Sequence, residues 1–119
     1  MMAYEADVYH ISDIDRITIL PRNLKITDYK RLGYKILKFF MYFAPNESPS
    51  LNKKKLDIIQ KIGDECSKHE IQFLLEPLVY DPKIEQGTKE YALLKPELVR
   101  FSNEIFSDPK FKVDVLKVE

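Results

Sequence analysis

The sequence predicts an α/β fold built on a parallel sheet, and three observations carry that prediction. Short apolar runs at 34–43, 71–75 and 113–118 read as strands buried on both faces. Amphipathic stretches lie between them. No two-residue hairpin turn joins any neighbouring pair. The strand starts fall roughly 35 to 42 residues apart, the rhythm of βαβ units, and right-handed crossovers make the sheet parallel. An open three-stranded sheet satisfies this pattern. So does an arc of a (β/α)8 barrel, whose closed form needs about 250 residues.

Each element has a local reason. In the first 34 residues, Arg16-Ile-Thr-Ile-Leu20 is a short β-like run closed by Pro21. Thr27-Asp28 suit the cap of a short helix through Tyr29, Arg31 and Leu32, with Gly33 as its stop. Tyr34 to Phe43 is almost wholly apolar and aromatic, bounded by Gly33 and Pro45. Ser48-Pro49-Ser50 is a helix start, because proline is tolerated in the first helical turn. Leu56, Ile59, Ile62 and Cys66 then recur at spacings of three and four as a buried stripe. Lys53, Lys54 and Lys55 read as a solvated face.

Ile71 to Leu75 is the second strand, ended at Glu76-Pro77, and a loop punctuated by Asp81-Pro82 and Gly87 follows. Pro96 is expected to open the last helix, with Leu98, Phe101 and Ile105 on its buried face and Ser107-Asp-Pro109 at its end. Val113 to Val118 is the third strand. The chain thus divides into an irregular or helical lead-in, 1–34, and a strand-helix-strand-helix-strand segment, 35–119.

Composition excludes several classes of function. The 119 residues carry 19 basic and 19 acidic side chains, and zero net charge argues against a dedicated nucleic-acid binder. Lys25, Lys30, Arg31 and Lys35 then read as a solvated helix face, and the tyrosines show no repeat of a base-stacking platform. Cys66 is the only cysteine, so no intramolecular disulfide or cysteine-rich zinc site is available, and it reads as a small buried hydrophobe. His10 and His69 lack metal-ligand spacing. No phosphate-cradling glycine motif occurs, and no apolar run is long enough to span a membrane. Glu5 and Asp7 stand where a signal peptide would need its apolar core, so a cytoplasmic protein is expected.

Three ionisable residues interrupt the apolar strands: Lys38, Glu76 and Lys117. In parallel α/β proteins the C-terminal ends of strands face the active-site mouth. A lysine in a buried strand is costly unless paired or neutral. A neutral amine attacks a carbonyl to form a Schiff base, and a nearby carboxylate shuttles the protons that dehydration and carbon–carbon cleavage require. The competing interpretation is structural: the lysines snorkel, or pair with Glu76 as an ion triad, or Lys117 is simply solvated near the end of the chain.

Several blocks in register resemble the tagatose 1,6-bisphosphate aldolase family. They are Leu37-Lys-Phe-Phe-Met-Tyr42, Ile62-Gly-Asp-Glu-Cys66, Phe73-Leu-Leu-Glu-Pro-Leu-Val-Tyr-Asp81, Lys95-Pro96, Phe106-Ser-Asp-Pro-Lys-Phe111 and Asp114-Val-Leu-Lys-Val-Glu119. Ala3-Tyr-Glu5 and Leu20-Pro21 are similar to upstream landmarks. The resemblance implies a partial (β/α)8 barrel, strands four to six, from a class I aldolase that works without metal or cofactor. It implies that Lys117 is the Schiff-base lysine, Glu76 the proton-transfer residue, and Lys38 a lysine that tunes the site and holds substrate. The implied substrate is a phosphorylated ketose of carbohydrate metabolism, cleaved to dihydroxyacetone phosphate and glyceraldehyde 3-phosphate.

The chain departs from the pattern after the strand-four tyrosine, where acidic residues are usual and Ala44-Pro45-Asn46 follow Phe43. The segments expected to hold the family's catalytic aspartate and its phosphate-gripping loops are not represented. The alternative is therefore an inactive α/β remnant that works, if at all, by self-association through open sheet edges.

Overall fold

The computed structural model describes residues 2–3 and 26–118. Its elements are β1 (Met2–Ala3), α1 (Ile26–Arg31), β2 (Ile36–Phe43), α2 (Pro49–Lys68), β3 (Gln72–Val79), α3 (Lys89–Phe106), a 3-10 turn (Pro109–Phe111) and β4 (Val115–Leu116). The strands form one parallel sheet in the order β1-β2-β3-β4. This is the predicted α/β class, and it fits a partial barrel. The 16–20 run lies outside the described residues.

Alternation along β2 and β3 sorts the side chains. Leu37, Phe39, Met41, Phe43, Phe73, Leu75 and Val79 are buried on one face. Helix α2 covers that face with Ile59, Ile62 and Cys66, the predicted stripe, while Leu56 is only half-buried. Phe106 stands edge-on to Phe43 and to Phe111, at 5.2 and 5.5 Å between ring centres, closing the core between α3 and the 3-10 turn. A smaller cluster of Val79, Tyr91 and Leu98 lies further along α3.

The helix ends follow from capping. Gly33, at φ +82, stops α1: its N–H bonds the Lys30 carbonyl, and the Tyr34 N–H bonds that of Tyr29. The helix already begins at Ile26, so Thr27 and Asp28 lie inside it rather than capping it. Ser48 caps α2 as expected, accepting from the Leu51 N–H. The same helix ends on Glu70 at φ 58, a left-handed position held by a residue with a side chain, and the Ile71 N–H bonds the Cys66 carbonyl.

Helix α3 corrects the sequence reading at its start and on its face. Thr88 caps it, accepting from the Tyr91 N–H, and Pro96 lies inside it. The proline removes the bond to the Ala92 carbonyl four residues earlier, but both residues face solvent, where water can replace it. Extending the helix to Lys89 sets the inward row as Tyr91, Leu98, Ser102 and Phe106, with Ile105 beside it. Phe101 lies to one side and is exposed.

Strand β3 does not stop at Glu76-Pro77 but runs to Val79. Phe73 and Leu75 turn their backbone groups toward β4, accepting from the N–H groups of Asp114 and Lys117. Pro77 has the same parity, so its missing donor points to that side, past the end of the short β4. Strand β4 is shorter than predicted because its approach turns through Lys112 at φ 52 and Asp114 uses its side chain to accept the Phe73 N–H.

Gly63 sits where α2 passes this approach. A Cβ there would fall on the Phe111 carbonyl, so only glycine lets helix and turn meet this closely.

Candidate active site

The face of the sheet away from α2 carries Lys38, Phe40 and Tyr42 from β2, and Leu74, Glu76 and Leu78 from β3, all half-buried. The parallel register sets Lys38 beside Leu74, Phe40 beside Glu76 and Tyr42 beside Leu78. Leu116 is registered with Leu75, so Lys117 follows onto the row of Glu76. The Lys117 Nζ lies 2.9 Å from the Glu76 Oε2. The structure therefore joins two of the three predicted residues. Lys38 shares their face one row nearer the strand N-termini, and among the described residues it has no ion-pair partner.

Two expectations about these residues need correcting. Glu76 is not at the end of its strand but in its fifth of eight positions, because β3 continues past Pro77. Lys117 is not buried: its side chain is 55% exposed, against 17% for Glu76. The cause is that no described element covers this face. Direct pairing puts the Glu76 carboxylate within proton-transfer reach of groups on the lysine.

Sequence reasoning missed a second polar cluster. Lys55, expected on a solvated face, is fully buried. Its Nζ donates to the Tyr42 carbonyl at 2.7 Å and to the Tyr80 hydroxyl at 3.1 Å. The Tyr80 hydroxyl donates to Glu47 at 3.0 Å. Nearby, the Asn52 amide donates to the Ala44 carbonyl at 3.0 Å, and the Asn46 amide to Asp81 at 3.1 Å. A signal was available, since Lys55 lies four residues before Ile59 and extends the same stripe.

Cys66 is buried as expected. Burial first, then the charges of Asp114 and Glu65, push its thiol up to about 12, so it stays protonated and unreactive at neutral pH. His69 lies near Glu65 on α2, and His10 lies outside the described residues. Among the described residues, no group of three or more His, Cys, Asp or Glu is placed to hold a metal ion, and no helix is long and apolar enough to cross a membrane. A groove of about 520 Å³ beside Lys30, Tyr34, His69 and Gln72 lies at the N-terminal ends of the strands, the wrong end for the pair.

Fold and site together define a parallel α/β protein with a lysine–glutamate pair on its strand face. Comparison with known proteins then fixes the family: residues 1–119 match the DeoC/LacD family aldolase profile, and the chain belongs to that family. It is 41% identical over 123 residues to the tagatose 1,6-diphosphate aldolase of Streptococcus pneumoniae (strain ATCC BAA-255 / R6). It is 40% identical to tagatose 1,6-diphosphate aldolase 2 of Streptococcus agalactiae serotype III (strain NEM316), and 39% to the tagatose 1,6-diphosphate aldolase of Lactococcus lactis subsp. lactis. Each match covers 100% of this chain and 37% of the relative, so the chain spans little more than a third of their length.

Proposed function

We propose that this chain carries the Schiff-base centre of a class I ketose-bisphosphate aldolase, with tagatose 1,6-bisphosphate as substrate. The single observation that carries the reading is the 2.9 Å pair of Lys117 and Glu76 on an open strand face, at the positions where the family resemblance expects them.

In this reading the Lys117 amine, once deprotonated, attacks the ketose carbonyl. The carbinolamine loses water to leave an iminium ion. Glu76 takes the proton from the C4 hydroxyl. The C3–C4 bond then breaks, its electron pair moves into the iminium as an enamine, and glyceraldehyde 3-phosphate departs. Protonation of the enamine and hydrolysis release dihydroxyacetone phosphate and restore the amine. Lys38, one row away on the same face, supplies positive charge toward a phosphate or a developing oxyanion.

The test is reduction with borohydride in the presence of dihydroxyacetone phosphate, followed by peptide mass spectrometry. The expected result is one adduct, on Lys117. Trapping on surface lysines at random, or none at all, rejects Schiff-base chemistry in this chain.

A further inference from the structure

The buried Lys55 is the least expected side chain in the molecule. An ammonium with no exposure is costly unless its hydrogen bonds are well made, and apolar replacements often do as well or better for stability alone. Its placement is informative. Lys55 rises from the second turn of α2 and reaches the carbonyl of Tyr42, the residue that follows Phe40 on the face bearing Glu76. It also reaches Tyr80, just past the end of β3, and through that hydroxyl Glu47 in the β2–α2 loop. Glu47 in turn accepts from the Ser48 N–H, where α2 is capped. One buried cation thus ties together the last row of β2, the end of β3 and the loop between β2 and α2.

We propose that Lys55 is a positioning residue: through Tyr80 and Glu47 it sets the 44–48 segment across the C-terminal ends of β2 and β3, beside the rows from which Glu76 and Lys117 act. The proposal rests on the Schiff-base reading for its chemical consequence, but its geometric content stands separately. The part-buried Asn52–Ala44 and Asn46–Asp81 bonds hold the same segment, and the fully buried Lys55 is the third tie. A displacement of about 1 Å at reacting groups costs on the order of a hundredfold in rate, so a loose segment here has a measurable cost.

The test compares the parent chain with Lys55→Met, which keeps length and packing, Lys55→Arg, which keeps charge, and Tyr80→Phe, which removes one hydroxyl. Two readouts are taken at a temperature where every variant is folded. In hydrogen exchange, the hydrogen-bonded amides of Glu47 and Ser48 are expected to open about tenfold or more faster in Lys55→Met and Tyr80→Phe, while amides at the sheet centre, Leu37 and Phe39, change less. In borohydride trapping with dihydroxyacetone phosphate, the limiting rate per folded molecule is expected to fall on the order of ten- to a hundredfold, with partial recovery in Lys55→Arg. Loop exchange that rises only in step with the sheet centre overturns the proposal, as does a trapping rate left unchanged by Lys55→Met. If the parent is not trapped at Lys117, the Schiff-base reading fails by itself, and the exchange pattern still decides whether Lys55 positions the segment.

Discussion

The two faces of the sheet are built from the same strands and obey different rules. On one, Leu37, Phe39, Met41, Leu75 and Phe73 are fully buried beneath helices. On the other, alternate residues of the same strands stay half-buried, and Lys38 and Glu76 stand among Phe40, Tyr42 and Leu74. Apolar burial is concentrated on the first face, and the proposed chemistry on the second. Period-two alternation alone separates them, so a one-residue shift of register would exchange the roles.

Substitutions can break this contrast. The largest effect is expected on the chemical face: Lys117→Ala should abolish borohydride trapping while lowering stability by less than about 1 kcal/mol, since its ion pair is half exposed. Peptide mapping and a thermal melt check both halves. Next come two neighbours on opposite faces. Leu75→Ala should cost about 2–5 kcal/mol in denaturant titration, as for other filled core sites. Leu74→Ala, half exposed, should cost well under half as much. Equal losses would mean that the second face is packed as tightly as the first.

Cys66 tests the covered face through pH. Its folded thiol is raised from 9.0 to about 12, so the unfolded chain releases its proton first as pH rises. Between those values the folded state binds more protons, and stability falls with increasing pH. The contribution is intact below about 9, and Cys66→Ala should flatten the alkaline fall in urea titrations from pH 8 to 11. Two smaller effects concern helix ends at the rim of both faces. Ser48→Ala should lower stability by about 1 kcal/mol through loss of the cap to Leu51. Glu70→Gly should raise it by up to about 1 kcal/mol by relieving a side chain at positive φ. A thermal melt distinguishes the two signs.

Much of this was legible in the sequence because local chemistry and fold agreed. Gly33 announces the end of α1, Ser48-Pro49 the start of α2, and Ile59, Ile62 and Cys66 its inner face. Lys38, Glu76 and Lys117 were legible as charges interrupting apolar strands, and the structure pairs the last two. What escaped had long-range causes. Pro96 looks like a helix start because proline favours that position, yet Thr88 and the packing of Tyr91 begin the helix earlier. Pro77 looks like a strand end because the parity of its nitrogen is invisible in one dimension. No glycine marks the end of α2, since Glu70 accepts the strain. Lys55 looks solvated because its partners, Tyr42 and Tyr80, lie 13 and 25 residues away.

The close approach at Gly63 bears on how accurately the lysine can be placed. Helix α2 meets the 3-10 turn backbone to backbone, and the chain then runs from Phe111 through Asp114, pinned to Phe73, to Lys117. The contact fixes the backbone of the turn against α2, and the segment that leads to Lys117 leaves from it. The strand that carries Lys117 is thus anchored by a backbone contact as well as by side-chain packing.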